Sequence, residues 1–158
     1  MREILRFRQR SAAYVLRQTP SGPEVLVILH QDSPEAGVQV PGGGALPHET
    51  IGEAAIREAL EETGVRGLVF GEVLGNKLAR GDEYPDGYQV TSYSWLRTED
   101  SRDAWDHTIT SADEDCGMRM RCEFRPVASA GIDWDMDVYL ERALRGFEVG
   151  LPVALPQK

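Results

Sequence analysis

The sequence predicts an α/β fold, and three observations carry that prediction. The run Val25-Leu26-Val27-Ile28-Leu29 is apolar at every position, as a strand buried on both faces requires. Residues 118–125 alternate Met118, Met120, Cys122 and Phe124 with Arg119, Arg121, Glu123 and Arg125, the pattern of a half-buried strand. Between them a helical pattern opens at Thr50 and closes at Gly64, with start and stop signals at its two ends.

Taken in chain order, residues 11–16 and 25–29 read as two strands joined through Pro20-Ser21-Gly22, the second central in its sheet. A short strand through Val38 and Val40 leads into Pro41-Gly42-Gly43-Gly44, where missing side chains let other groups approach the backbone. Thr50 and Glu53 have capping-box spacing and Gly64 suits a C-cap, so a helix fills the interval. Strands follow at residues 69–73 and 89–96, separated by the turn-rich segment 81–87. Met136, Tyr139, Leu140 and Ala143 recur at helical spacing, which predicts a last helix over residues 134–144 ended by Gly146. A tail with Pro152 and Pro156 is expected to be irregular from about residue 147.

The 158 residues suit one compact domain over residues 1–158, without repeats or a linker. No apolar run is long enough for a membrane span and the start lacks the apolar core of a secretion signal, so a cytoplasmic protein is expected. Cys116 and Cys122 are too few for a disulfide framework and read as buried thiols. The net charge of −9 repels the backbone of long nucleic acids, which counts against DNA or RNA as a partner. A small phosphorylated ligand stays open if cations link it to clustered carboxylates.

Glu58, Glu61 and Glu62 stand at i, i+3 and i+4 of the predicted helix and project from one side. Ile56, Ala59 and Leu60 lie around the other side, so the helix is a rigid mount for an acidic face. Three such carboxylates are hard oxygen ligands for Mg²⁺ or Mn²⁺, and the glycine loop upstream can add a backbone carbonyl. A solvated acidic face is the alternative that these three acids alone leave open.

The surrounding residues add to this. Glu49 follows Gly43 after five residues, and seven more lead to Arg57-Glu58-Ala59-Leu60-Glu61-Glu62-Thr63-Gly64-Val65. This resembles the Nudix box, Gly-x5-Glu-x7-Arg-Glu-U-x-Glu-Glu-x-Gly-U with U a bulky aliphatic residue, at every fixed position. Ala59 is smaller than usual at a U position, which bears on packing rather than chemistry. The box covers residues 43–65, and the order of strands, box helix, further strands and final helix is similar to the Nudix α/β/α sandwich, a mixed central β-sheet flanked by helices.

The resemblance implies hydrolysis of a diphosphate linkage in a nucleoside diphosphate derivative, with a nucleoside triphosphate or similar small nucleotide as the least specific substrate. It implies Mg²⁺ or Mn²⁺ on Glu58, Glu61 and Glu62 with the Gly43 carbonyl, Arg57 holding the glutamates by salt bridges, and Glu49 in support. Glu58 is one candidate base; the other is Glu114, in the acidic loop Asp113-Glu114-Asp115. Lys77 and Arg80 follow the strand after the box, where other members place substrate contacts. The family also contains dimers, nucleotide-binding regulators without activity, dinucleoside polyphosphate hydrolases and RNA 5′-end pyrophosphohydrolases. Retention of every box glutamate favours an enzyme over a silent regulator. Outside the box, Arg119, Arg121 and Arg125 are expected on a solvated strand face and His107 in a structural loop. Tyr84, Tyr88 and Trp95, which could sandwich a base, are expected in the core.

Overall fold

A computed structural model describes residues 6–80, 87–111 and 116–150. The acidic loop with Glu114, Tyr84 and the tail beyond residue 150 lie outside the described residues. Seven strands and two α-helices follow in the order β1 (Arg6–Thr19), β2 (Gly22–His30), β3 (Gly42–Gly44), α1 (Ile51–Thr63), β4 (Val69–Arg80), β5 (Gly87–Arg97), β6 (Ala104–Thr108), β7 (Arg119–Pro126) and α2 (Leu140–Val149). The sheet is mixed, ordered β4-β5-β1-β2-β7-β6, with β3 paired to the middle of β1. β1 runs parallel to β5 and antiparallel to β2 and β3.

Strand alternation explains why a helix covers each face. Ala12, Tyr14 and Leu16 of β1, with Val25 and Val27 of β2, pack on Leu140, Ala143 and Phe147 of α2. Ala13 and Val15, with Leu26 and Ile28, pack on Ala55 and Ala59 of α1. The double-sided apolar run of β2 thus sits between two layers, as its composition requires, and the whole is an α/β/α sandwich with a mixed sheet. Each fully buried Val or Leu in these layers contributes about 1.5–3 kcal/mol of hydrophobic stabilisation. Among the described residues no helix is long and apolar enough to cross a membrane.

Several elements differ from the sequence reading. The strand expected at Val38 and Val40 is a single bridge between Gln39 and Ile28, and the ladder pairing falls on the glycines instead. Residues 104–108, read as loop around His107, form edge strand β6 against β7; with one large apolar residue, Trp105, in five positions, β6 has no clear alternation. Cys122 is buried in β7, where burial pushes its thiol up to about 12, but Cys116 is exposed. The last helix starts at Leu140 rather than residue 134, because Trp134 and Asp135 take left-handed φ of 62° and 55° that no α-helix accommodates.

That helix also runs through Gly146 instead of stopping there. A Cβ on Gly146 would lie 2.7 Å from a Glu72 carboxylate oxygen and 2.8 Å from Trp95 Nε1, so the missing side chain lets α2 press on β4 and β5. Helix propensity alone favours Gly146→Ala by about 1 kcal/mol. We expect packing to win: urea denaturation should show Gly146→Ala destabilised by about 1–3 kcal/mol, the usual cost of overpacking.

Candidate functional site

Helix α1 begins and ends where its sequence signals place it. The Thr50 hydroxyl accepts from Glu53 N at 3.1 Å, and the Glu53 carboxylate accepts from Thr50 N at 3.2 Å, closing the capping box. Gly64 takes φ 63° and donates its N–H to Leu60 O. Side chains from beyond the helix complete this terminus. Trp105 Nε1 donates to Thr63 O at 2.6 Å, His107 Nε2 lies 3.0 Å from Glu61 O, and Arg102 Nη2 donates to Gly64 O at 3.1 Å. His107 is therefore a strand residue that secures the last turn of α1, and its ring leaves no room for a side chain at residue 64.

Beside β3, Arg57 ties three acids together. Its Nε and Nη2 grip the two oxygens of Glu49 at 2.7 and 2.9 Å, its Nη1 reaches Glu58 at 2.9 Å and Glu61 at 3.3 Å, and Nη2 also donates to Gly44 O at 2.9 Å. The guanidinium holds the Glu49 carboxyl well below its usual range, at about 2, and Glu49 in turn raises the Arg57 guanidinium. Glu58 and Glu62 are only 7% and 6% exposed, so two acids of the stripe are largely withdrawn from water. Burial is the main influence that raises the Glu58 carboxyl, against the lowering by Arg57.

β3 supplies the opposite wall. Gly42 N donates to Glu62 at 3.2 Å, and a Cβ on Gly43 would fall 2.5 Å from the Glu58 carboxylate, so this carboxylate rests on bare backbone. Glu58 and Glu62 thus meet the glycine strand, while Glu61 stays on the Arg57 side. Hard oxygen donors buried against a carbonyl-bearing strand suit a divalent metal ion. Among the described residues no three acidic, histidine or cysteine groups form a ready-made cation cage. Arg57, bonded to both Glu58 and Glu61, is what stands between those two acids.

Glu62 also lines a cavity of about 340 Å³ between β3, the β1–β5–β4 face of the sheet and the turn before α2. Lys77 opens onto it. Arg80 does not belong to this lining, since three positions on it pairs with Tyr88 and faces the other side of the sheet. Arg10, Gln39, Gln89, Thr91, Tyr93 and Trp134 complete much of the wall, and the sequence had marked none of them as site residues. Register brings them together: Arg10 is opposite Thr91, which is opposite Lys77. Trp95 packs edge-on against Phe147 in the core and Tyr88 stacks on Phe7, so neither is in this cavity. Arg119, Arg121 and Arg125 pair with Asp32, Asp106 and Glu123 on the β7 surface, as their alternation suggested.

This helix-on-sheet fold has known counterparts. The NUDIX domain family model matches residues 8–132, and the chain belongs to that family. It is 41% identical over 70 residues to diphosphoinositol polyphosphate phosphohydrolase 3-beta of Bos taurus, an alignment covering 44% of this chain and 41% of that protein. It is 38% identical over 68 residues to Nudix hydrolase 16, mitochondrial, of Arabidopsis thaliana, covering 43% and 37%. The matched region is thus less than half of either relative. A C. elegans Ap4A hydrolase complex superposes with TM-score 0.60 at 17% identity over 91% of this chain and 97% of that one. A Nudix hydrolase of Listeria monocytogenes gives 0.63 at 17% identity over 90% and 92%. At such identities the structures share the fold.

The depressed Glu49 value sets a pH dependence. Its folded value of about 2 lies below the ordinary carboxyl value of about 4.5, so this stabilisation is present above the unfolded value and lost as pH falls through the folded one. Glu49→Gln should lose about 2 kcal/mol at pH 7, the scale of a charged hydrogen bond, with the deficit shrinking as pH falls toward 2. Urea titrations at several pH values check it; a deficit of equal size at every pH would contradict the Arg57 pairing.

Proposed function

We propose that the protein hydrolyses the diphosphate linkage of a small nucleotide-like substrate, a nucleoside triphosphate or similar nucleotide, with Mg²⁺ or Mn²⁺. The observation that carries this reading is the pair of buried acids, Glu58 and Glu62, set against bare Gly42 and Gly43 backbone at the edge of a cavity that also presents Lys77 and Arg10. Glu58, Glu61, Glu62 and the Gly43 carbonyl would hold the ion. When bound, the ion supplies a Lewis acid that offsets charge on the phosphate oxygens.

The remaining work falls to the chain. Arg57 keeps the acids in register and Glu49 keeps Arg57 in place. Lys77 and Arg10 bind phosphate oxygens. Arg80, on the opposite face, would act only on a substrate that extends past the sheet edge. Water attacks one phosphorus, the bridging P–O bond breaks, and a carboxylate accepts the water proton; Glu58 and Glu114 are the two candidates. Loss of the base should lower kcat by about 10²–10⁴-fold.

A second reading is hydrolysis of a diphosphoinositol polyphosphate. Arg6, Arg8 and Arg10 alternate along β1 and give one strand a run of positive charge, and bovine and other phosphohydrolases of that name are among the relatives. Phosphate release from nucleotides, dinucleoside polyphosphates and diphosphoinositol polyphosphates, with Mg²⁺ and with EDTA, separates the readings. We expect turnover to require the ion, Glu58→Gln and Glu114→Gln to be compared at saturating Mg²⁺, and at least one of them to fall by the factor above. Turnover that persists in EDTA, or two variants that keep wild-type kcat, would remove the mechanism.

A further inference from the structure

The turn before α2 places a large aromatic surface in water, at a conformational cost, on the rim of the substrate cavity. Trp134 is 65% exposed although it is among the most apolar side chains of the molecule. It and Asp135 are two successive non-glycine residues with left-handed φ. The turn is also firmly tied down. Asp133 exchanges hydrogen bonds with Val38, its N–H to Val38 O at 2.9 Å and its carboxylate from Val38 N at 2.8 Å. Trp134 Nε1 donates to Ala36 O at 2.7 Å, and Tyr14 OH donates to Met136 O at 2.5 Å. An indole fixed at its edge, with its ring left open to solvent, is a preorganised face.

The other two tryptophans are committed elsewhere, Trp95 to the core and Trp105 to the end of α1. Around Trp134 the cavity offers Tyr93, Val40 and Met136 as apolar wall and Gln39, Gln89 and Thr91 as hydrogen-bonding groups. Arg10, Lys77 and Glu62 share the same lining. One cavity therefore combines an aromatic face, amide edges and a cationic, carboxylate-bearing part. An inositol phosphate has no π-face for the indole to meet, whereas a nucleotide has a base, and polar edges on that base, as well as phosphates.

We infer that Trp134 is the stacking platform for a nucleobase and a specificity-determining residue, so that the substrate is nucleosidic. This rests on the hydrolase reading above for its chemistry, but base binding is measurable without turnover. Titration of the intact protein with ADP in EDTA should quench the emission of the exposed indole saturably, and tripolyphosphate should not. Trp134→Ala should abolish that signal. In the Mg²⁺ assay it should raise KM for a nucleotide about tenfold or more, the scale of one base stack, with kcat within about twofold. Trp134→Phe, which keeps a ring, should recover most of the lost affinity, and hydrolysis of tripolyphosphate should be the same in wild type and Trp134→Ala.

Three results would overturn it: no quenching by ADP, a nucleotide KM unchanged in Trp134→Ala, or equal impairment with tripolyphosphate. Turnover of a diphosphoinositol polyphosphate but of no nucleotide would overturn it too. Saturable ADP quenching in a protein that turns over nothing would instead reject the hydrolase reading and leave base stacking in place. Matching thermal melts of the variants confirm that they fold.

Discussion

One guanidinium holds three carboxylates together. Arg57 contacts Glu49, Glu58 and Glu61, and Glu62 lies buried just beyond them in a protein that is already acidic. Withdrawing a carboxylate from water costs several kcal/mol unless it is paired and hydrogen-bonded, and repulsion along the stripe adds a few tenths more per pair. The bidentate grip on Glu49 leaves one Arg57 contact each for Glu58 and Glu61, and Glu58 also shares a hydrogen bond with Glu62. These acids sit on rigid elements, an arrangement that suits a discrete ion better than a diffuse ion cloud.

The rest of the architecture keeps this unfavourable cluster from relaxing. α1 is fixed at its start by its capping box and at its end by three side chains from Arg102, Trp105 and His107. Its apolar side packs on the central strands through Ala55 and Ala59, small residues that bring helix and sheet close. The small Ala59 at a position where bulk is usual is thus part of a close contact. β3 then meets the acids from the other side with no side chains to hold it away.

The carboxylate helix was legible because all of its information is local. Both caps and the Arg57–Glu62 spacing lie within one short stretch, and the structure reproduces the caps; the expected faces are only partly met, since Leu60 is exposed while Glu58 and Glu62 are buried beside Ala55 and Ala59. The double-sided β2 and the alternating β7 were legible for the same reason. β6 was not, since a short polar edge strand depends on its neighbour for definition. The onset of α2 was misplaced because two left-handed residues interrupt a pattern whose spacing continues unbroken on either side. The cavity wall was illegible in principle: Arg10, Thr91 and Lys77 become neighbours only through strand register, and no local signal announces that.

The parallel pairing of β1 with β5 has a consequence for how the site depends on distant parts of the chain. Gln9 and Val90 are hydrogen-bonded across 81 positions of chain, so their meeting requires closure of a long loop, whereas the caps of α1 lie within its own short stretch. The sequence signals of the acid-bearing helix are therefore local, while the ligand-receiving wall depends on strands distant in the chain. Specific recognition is thus tied to the integrity of the β1–β5 seam rather than to any one local segment.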